Sequence, residues 1–249
     1  MPSPADVERP PDGHIHLWHV PLAEMRLDEQ DIATMLPDAE RQRAGRFVFP
    51  HLTQRWLGGR LALRQVLGRY FRIHPGQIRF GQGERGKPFV IEDGGQPSTL
   101  EFNMSDAGDF VMIAVASGQA LGVDIEAVRA IDEADDIVDR NFSVLERDSY
   151  RRLPPHSKQA AFFNAWTRKE AYTKAVGLGL YLPLDSFSVA LDPDEPPRLI
   201  EVDGDPAKAA EWTLCEIAAP DGHRGALVVR GKIAKIHAWH WTGSVHGRT

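Results

Sequence analysis

Two short segments of this chain place carboxylates and lysines at spacings suited to phosphate chemistry. In Gly122-Val123-Asp124-Ile125-Glu126 the two acids stand two apart in an apolar run. Alternation along a strand turns both to one face of a sheet. In Trp166-Thr167-Arg168-Lys169-Glu170-Ala171-Tyr172-Thr173-Lys174, Glu170 and Lys174 stand four apart. A helix sets such a pair on one face, one turn apart. Carboxylates that converge repel unless a cation joins them. A hard divalent ion such as Mg²⁺, which takes oxygen ligands, is the simplest candidate. Lysines beside such a site call for an anionic partner, a phosphate ester or pyrophosphate. Either segment alone is more often a solvated face; the combination carries the signal.

The elements that would hold these residues follow from local pattern. Val111 to Ala116 and Leu121 to Glu126 read as strands split by Ser117-Gly118-Gln119-Ala120, which is hairpin spacing. The acidic pair is therefore expected at the far end of a hairpin. A helix is expected from about Ser157 to Val176, ended by Gly177 and Gly179. Ser143-Val144-Leu145-Glu146 is a capping box that opens the helix before it. Earlier helices are expected near Asp28 to Leu36, Asp38 to Phe47, and from a Thr53 cap to Phe71. Short strands are expected at Ile15 to Val20, Ile78 to Phe80, Phe89 to Ile91, and four times after Phe187. His14, His16 and His19 read as alternating surface histidines on the first strand. Helices followed by strands, twice over, indicate an α+β fold.

Composition bounds the partners. A chain of 249 residues can bury a substantial core. A net charge of −6 argues against bulk nucleic-acid binding, so an anion site must be a local basic patch. The one cysteine, Cys215, leaves no internal disulfide and no cysteine zinc site. The longest apolar run is too short to span a bilayer. Met1-Pro2-Ser3-Pro4-Ala5-Asp6 has no signal-peptide pattern. A cytoplasmic protein without a membrane partner is expected.

Beyond pattern, the segments resemble the paired signatures of the 4′-phosphopantetheinyl transferases, closest to the surfactin-type, two-half subgroup. Gly122 to Glu126 is followed by Trp166-x-x-Lys169-Glu170-Ala171-x-x-Lys174-x-x-Gly177-x-Gly179-Leu180. Gly86-Lys87-Pro88, Phe102-Asn103-Met104-Ser105, Phe142-Ser143-x-x-Glu146 and Leu182-Pro183-Leu184-Asp185-Ser186-Phe187-Ser188-Val189 fall in the family's order. The resemblance implies two similar α+β halves related by a pseudo-two-fold axis, with the active site in the cleft between them. The halves would span residues 14–127 and 128–242, with flexible tails at 1–13 and 243–249. It implies transfer of 4′-phosphopantetheine from coenzyme A to a serine of an acyl or peptidyl carrier protein, with Mg²⁺ as cofactor and adenosine 3′,5′-bisphosphate released. A monomer is expected.

Residue by residue, Asp124, Glu126 and Glu170 look like the magnesium carboxylates, with Glu170 also the candidate acceptor of the serine proton. Lys174 would reach the pyrophosphate, and Lys169 would share that role. Arg55 and Arg43 match basic positions for the nucleotide end and the 3′-phosphate of coenzyme A. Lys87 and Pro88 match the loop bordering the adenine. Asp106 stands where the family commonly has histidine and, ionised, would repel phosphate; three readings compete, in which Ser105 and Arg43 hold the 3′-phosphate without it, Asp106 turns away to cap the loop Ala107-Gly108, or that phosphate is only weakly recognised. Trp166 reads as a core anchor, and Arg147, Arg151 and Arg152 as a candidate carrier-docking patch. Two rivals remain on this footing: a non-catalytic relative that binds coenzyme A or a carrier, and a Mg²⁺-dependent pyrophosphate hydrolase.

Overall fold

A computed structural model describes residues 7–241 of the chain. Period-two alternation builds its core. The first sheet runs in the order β11 (Lys235–His240), β1 (His14–Pro21), β5 (Phe110–Ser117), β4 (Leu100–Ala107). On β5, Val111, Ile113 and Val115 pack with Ala62, Val66 and Leu67 of α3 (Pro50–Phe71). The alternate residues Met112, Ala114 and Ala116 pack against Leu121, Val123 and Ile125 of β6 (Leu121–Ala127). That strand edges a second sheet, completed by β10 (His223–Arg230) and β9 (Trp212–Glu216). Its other face meets α6 (Pro155–Val176), where Ala171 and Ala175 join Ala226 and Val228. The layers are therefore helix, sheet, sheet, helix. Each fully buried aliphatic side chain contributes roughly 1.5–3 kcal/mol to holding them together.

The same order of elements occurs twice. A helix of 22 residues, α3 or α6, precedes a two-stranded ribbon. These ribbons are β2 (Arg79–Gln82) with β3 (Pro88–Ile91), and β7 (Phe187–Val189) with β8 (Leu199–Val202). An antiparallel pair follows, β4 with β5 or β9 with β10. Then comes a strand that crosses to the other sheet. β6 pairs with β10, and β11 pairs in parallel with β1. Each half thus lends one strand to the other. The smaller helices are α1 (Glu29–Met35), α2 (Asp38–Ala44), α4 (Ala134–Asn141), α5 (Val144–Arg152) and α7 (Pro206–Ala209). None of the described helices is long and apolar enough to cross a membrane.

Three local expectations need correction. β5 and β6 do not form a hairpin: β1 and β4 already occupy both edges of β5, so β6 must find its partner elsewhere. Thr53 does not cap α3, which begins at Pro50 after Phe49; the Thr53 hydroxyl lies inside the helix, 3.4 Å from the Ala44 carbonyl. A proline is well placed at such a start, because its missing N–H would find no helical partner there. Residues 9–13 are tied down rather than frayed. Arg9 pairs with Glu92, the Pro10 carbonyl accepts from Ser117, and the Gly13 amide donates to Gln119. Residues 1–6 and 242–249, and with them the rest of the expected tails, lie outside the described residues.

Gly122 sets the spacing between β6 and α6. A Cβ there would stand 2.1 Å from the Ala171 carbonyl oxygen and 2.4 Å from the Ala175 nitrogen, both backbone atoms that cannot swing aside. Gly122→Ala is expected to destabilise by about 2–3 kcal/mol through overpacking. Turnover should fall with it, since the same contact brings α6 to Asp124. Thermal melts paired with activity measurements check this; an unchanged Tm would place the spacing under other control.

Candidate active site

Because Leu121, Val123 and Ile125 face the first sheet, Gly122, Asp124 and Glu126 face α6. On α6, Glu170 and Lys174 turn back toward them. Asp124 is only 3% exposed. Its Oδ1 accepts from Lys174 Nζ at 2.6 Å and from Ser105 Oγ at 2.8 Å. Its Oδ2 is buried with no hydrogen-bond partner. A buried carboxylate oxygen left this way is costly and calls for an explanation.

Burial first, and then the repulsion of Asp124, pushes the carboxyls of Glu126 and Glu170 above the ordinary range. Asp124 is raised too, by burial, against the opposing pull of Lys174. Arg129 and Lys174 partly offset the rise at Glu126, and the Trp166 indole does so to a smaller extent. Trp166 also stacks on Phe162 at 5.9 Å between ring centroids. It is thus the packing anchor expected of it.

A cleft of about 510 Å³ opens beside this centre; Glu170 and Lys174 line it, and Asp124 and Glu126 do not. Lys87 and Pro88 from the β2–β3 ribbon and Asn103 from β4 form one wall; Glu170, Thr173 and Lys174 form the other. Lys87 spans the halves: its ammonium donates to the Leu121 carbonyl at 3.0 Å and the Ala175 carbonyl at 3.2 Å. Burial holds its pKa below the usual lysine range, with Glu101 opposing.

Other expected residues lie elsewhere. Lys169 does not reach the cleft and cannot share the role of Lys174. Its side chain is fully buried, with Nζ 2.7 Å from Glu146 and 2.8 Å from the carbonyls of both Leu184 and Phe187. A helix turns about 100° per residue, so Lys169 and Glu170 cannot face one site. Arg55 pairs with Asp109 at 2.7 Å and lines a separate hollow. Arg43 is exposed, with its guanidinium 5.9 Å from the Trp56 ring centroid. Neither lines the Glu170 cleft. Ser105 is spent on Asp124 and Lys174. Asp106 is exposed and, one residue on along β4, faces away from that pair. Of the arginine patch, Arg147 donates to the Asp139 and Phe142 carbonyls and Arg151 pairs with Asp139. The three histidines on β1 are not a surface set: His16 is buried against Tyr70, and His14 meets His237 of β11.

An acidic centre with a lysine clamp, walled by two halves, is the equipment of a phosphoryl-type transferase. Two family profiles match the chain: "4'-phosphopantetheinyl transferase, N-terminal" over residues 25–118 and "4'-phosphopantetheinyl transferase superfamily" over 120–229. The 4'-phosphopantetheinyl transferase HetI of Nostoc sp. is 35% identical over 241 residues, covering 97% of this chain and 98% of that protein. The 4'-phosphopantetheinyl transferase Sfp of Bacillus subtilis is 32% identical over 167 residues, covering 67% of this chain and 71% of that one. A solved holo-(acyl-carrier-protein) synthase of Bacillus anthracis, in complex with coenzyme A, matches with a TM-score of 0.36 and 24% identity, covering 45% of this chain and 96% of that chain. The chain belongs to the 4′-phosphopantetheinyl transferase family, in its Sfp-like, two-half form. It is an enzyme that transfers 4′-phosphopantetheine from coenzyme A to a carrier protein.

Proposed function

We propose that this transfer depends on a divalent cation, Mg²⁺, held by Asp124, Glu126 and Glu170 in the inter-half cleft. The unpartnered, buried Oδ2 of Asp124 carries the reading. Asp124 raises the proton affinity of both Glu126 and Glu170, an effect a cation would reverse. Among the described residues no group of three acids, histidines or cysteines is placed to hold a metal ion by itself. Mg²⁺ does not need a complete protein cage, because it keeps several waters and is shared with substrate phosphates. When bound, the ion would offset charge building on the diphosphate.

The residues of the chain supply the rest. Glu170, on the cleft wall with a raised pKa, is suited to accept the proton of the carrier serine as its oxygen attacks the pantetheine-bearing phosphorus. The phosphoanhydride bond breaks as the new ester forms, and adenosine 3′,5′-bisphosphate departs. Lys174 is part-exposed, so its ammonium can extend to the diphosphate while still neighbouring Asp124. Lys87 and Pro88, which line the opposite wall, would border the nucleotide. Acyl and peptidyl carriers are both candidate partners. Both cleft walls come from one chain, which supports a monomer; a cytoplasmic setting, without nucleic-acid or membrane partners, accords with the acidic composition.

The test is direct. Coenzyme A, an apo carrier and Mg²⁺ should give a carrier heavier by one phosphopantetheine, and chelation should abolish the gain. Release of adenosine bisphosphate without a carrier would favour the hydrolase reading instead.

A pH dependence follows. The raised carboxyls favour the folded state while protonated, and that contribution is lost as pH rises through their folded pKa values. The cation needs them ionised, so it competes with protons. The rise in Tm on adding Mg²⁺ should therefore be larger at about pH 8 than at about pH 5. Thermal melts at both values check it; equal shifts would contradict carboxylate ligation.

A further inference from the structure

β6 has two edges, and only one is paired by backbone. Its hydrogen bonds run to β10, while the other edge faces β4 of the first sheet. Side chains of β4 substitute for the missing ladder. Asn103 Oδ1 accepts from the Val123 amide at 2.8 Å, and Ser105 Oγ accepts from the Ile125 amide at 3.4 Å. Both side chains are buried. The two amides flank Asp124, so the first sheet grips the backbone on each side of that acid.

Ser105 does more. Its hydroxyl is 2.8 Å from Asp124 Oδ1, and Lys174 Nζ is 2.9 Å from the same hydroxyl. A serine hydroxyl has one proton to give and two lone pairs to receive with. Here it donates to Asp124 and accepts from Lys174 and Ile125, so its capacity is filled and nothing is left for a nucleotide phosphate. Serine and lysine both bind Oδ1, which fixes the rotation of the carboxylate and leaves Oδ2 alone. Groups behind a metal ligand commonly set its orientation in this way.

We propose that Ser105 is a positioning residue: with Lys174 it locks Oδ1 of Asp124 inward, so that Oδ2 is the oxygen offered to the divalent ion. The proposal rests on the cation reading of Asp124. It separates Ser105 from the nucleotide-binding role that the family resemblance implies.

The experiment measures Mn²⁺ binding to the full chain by calorimetry with saturating coenzyme A, and coenzyme A binding in the presence of chelator. The variants are Ser105→Ala, Ser105→Cys, Ser105→Thr and Asp124→Asn. Ser105→Ala and Ser105→Cys should each weaken Mn²⁺ binding by about tenfold, at the lower end of what loss of an orienting group costs. Ser105→Thr, which keeps the hydroxyl, should recover most of that loss, and metal-free coenzyme A binding should not change. The cysteine variant nearly preserves volume, so it reports even if the alanine variant folds poorly. Wild-type Mn²⁺ affinity in both variants overturns the proposal. So does a loss confined to coenzyme A affinity, which would return Ser105 to the donor site. Asp124→Asn distinguishes the other failure: if it leaves Mn²⁺ binding unchanged, the cation reading itself falls, whatever Ser105 does.

Discussion

Lys169→Ala is expected to destabilise the protein by about 3–5 kcal/mol, because removing one member of a buried ion pair strands the other charge. For a chain of this size that lowers Tm by roughly 10 °C. Glu146 would lose an ammonium at 2.7 Å in a site neither side chain shares with solvent. Glu146 is committed further: its oxygens accept from the Ser143 amide, closing the capping box of α5, and from the Val189 amide of β7. The pair therefore binds α5, α6 and β7 into one body. Burial holds Lys169 below the usual lysine pKa, with Glu146 opposing. Replacing both, Lys169→Met with Glu146→Gln, should recover part of the loss. Denaturant melts of the single and double variants decide; a Lys169→Ala protein with wild-type stability and impaired turnover would return Lys169 to the cleft.

The next residue along should behave in the opposite way. Glu170→Gln is expected to cut turnover by about a thousandfold, within the range for loss of a general base, and more if a cation contact goes too. Stability should hold or rise slightly. Burial and Asp124 already push the Glu170 carboxyl up, so its ionised form is a cost to the fold at neutral pH. Stability given up for function in this way is usual at active sites. Steady-state kinetics beside a melt tests both halves of the claim. Near-wild-type turnover would remove Glu170 from the chemistry. Lys169 and Glu170 are neighbours in sequence, yet one serves the interior and the other the cleft.

Much of this was legible in the chain. The capping box at Ser143, the long α6 and its Gly177 stop all formed where local pattern put them, because each depends on residues within a few positions. β4 went unread: Asn103, Ser105 and Asp106 are polar, so its alternation is masked. α4 was hidden by its acidic run. The division of labour in the Lys-Glu pair was invisible for a different reason. Spacing says that the two point apart, but not which direction is the cavity.

What the sequence determined by itself was the family and the reaction it performs. Residue type, short spacing and motif order are enough for that. The tertiary structure alone decided the address of each group. An edge denied to β6 sent it to the second sheet, Gly122 let α6 settle against it, and Ser105 reached Asp124 from a strand of the first sheet. Those outcomes turn on which strand edges are already taken and where backbones touch, and such long-range competition leaves no mark on a stretch of neighbouring residues.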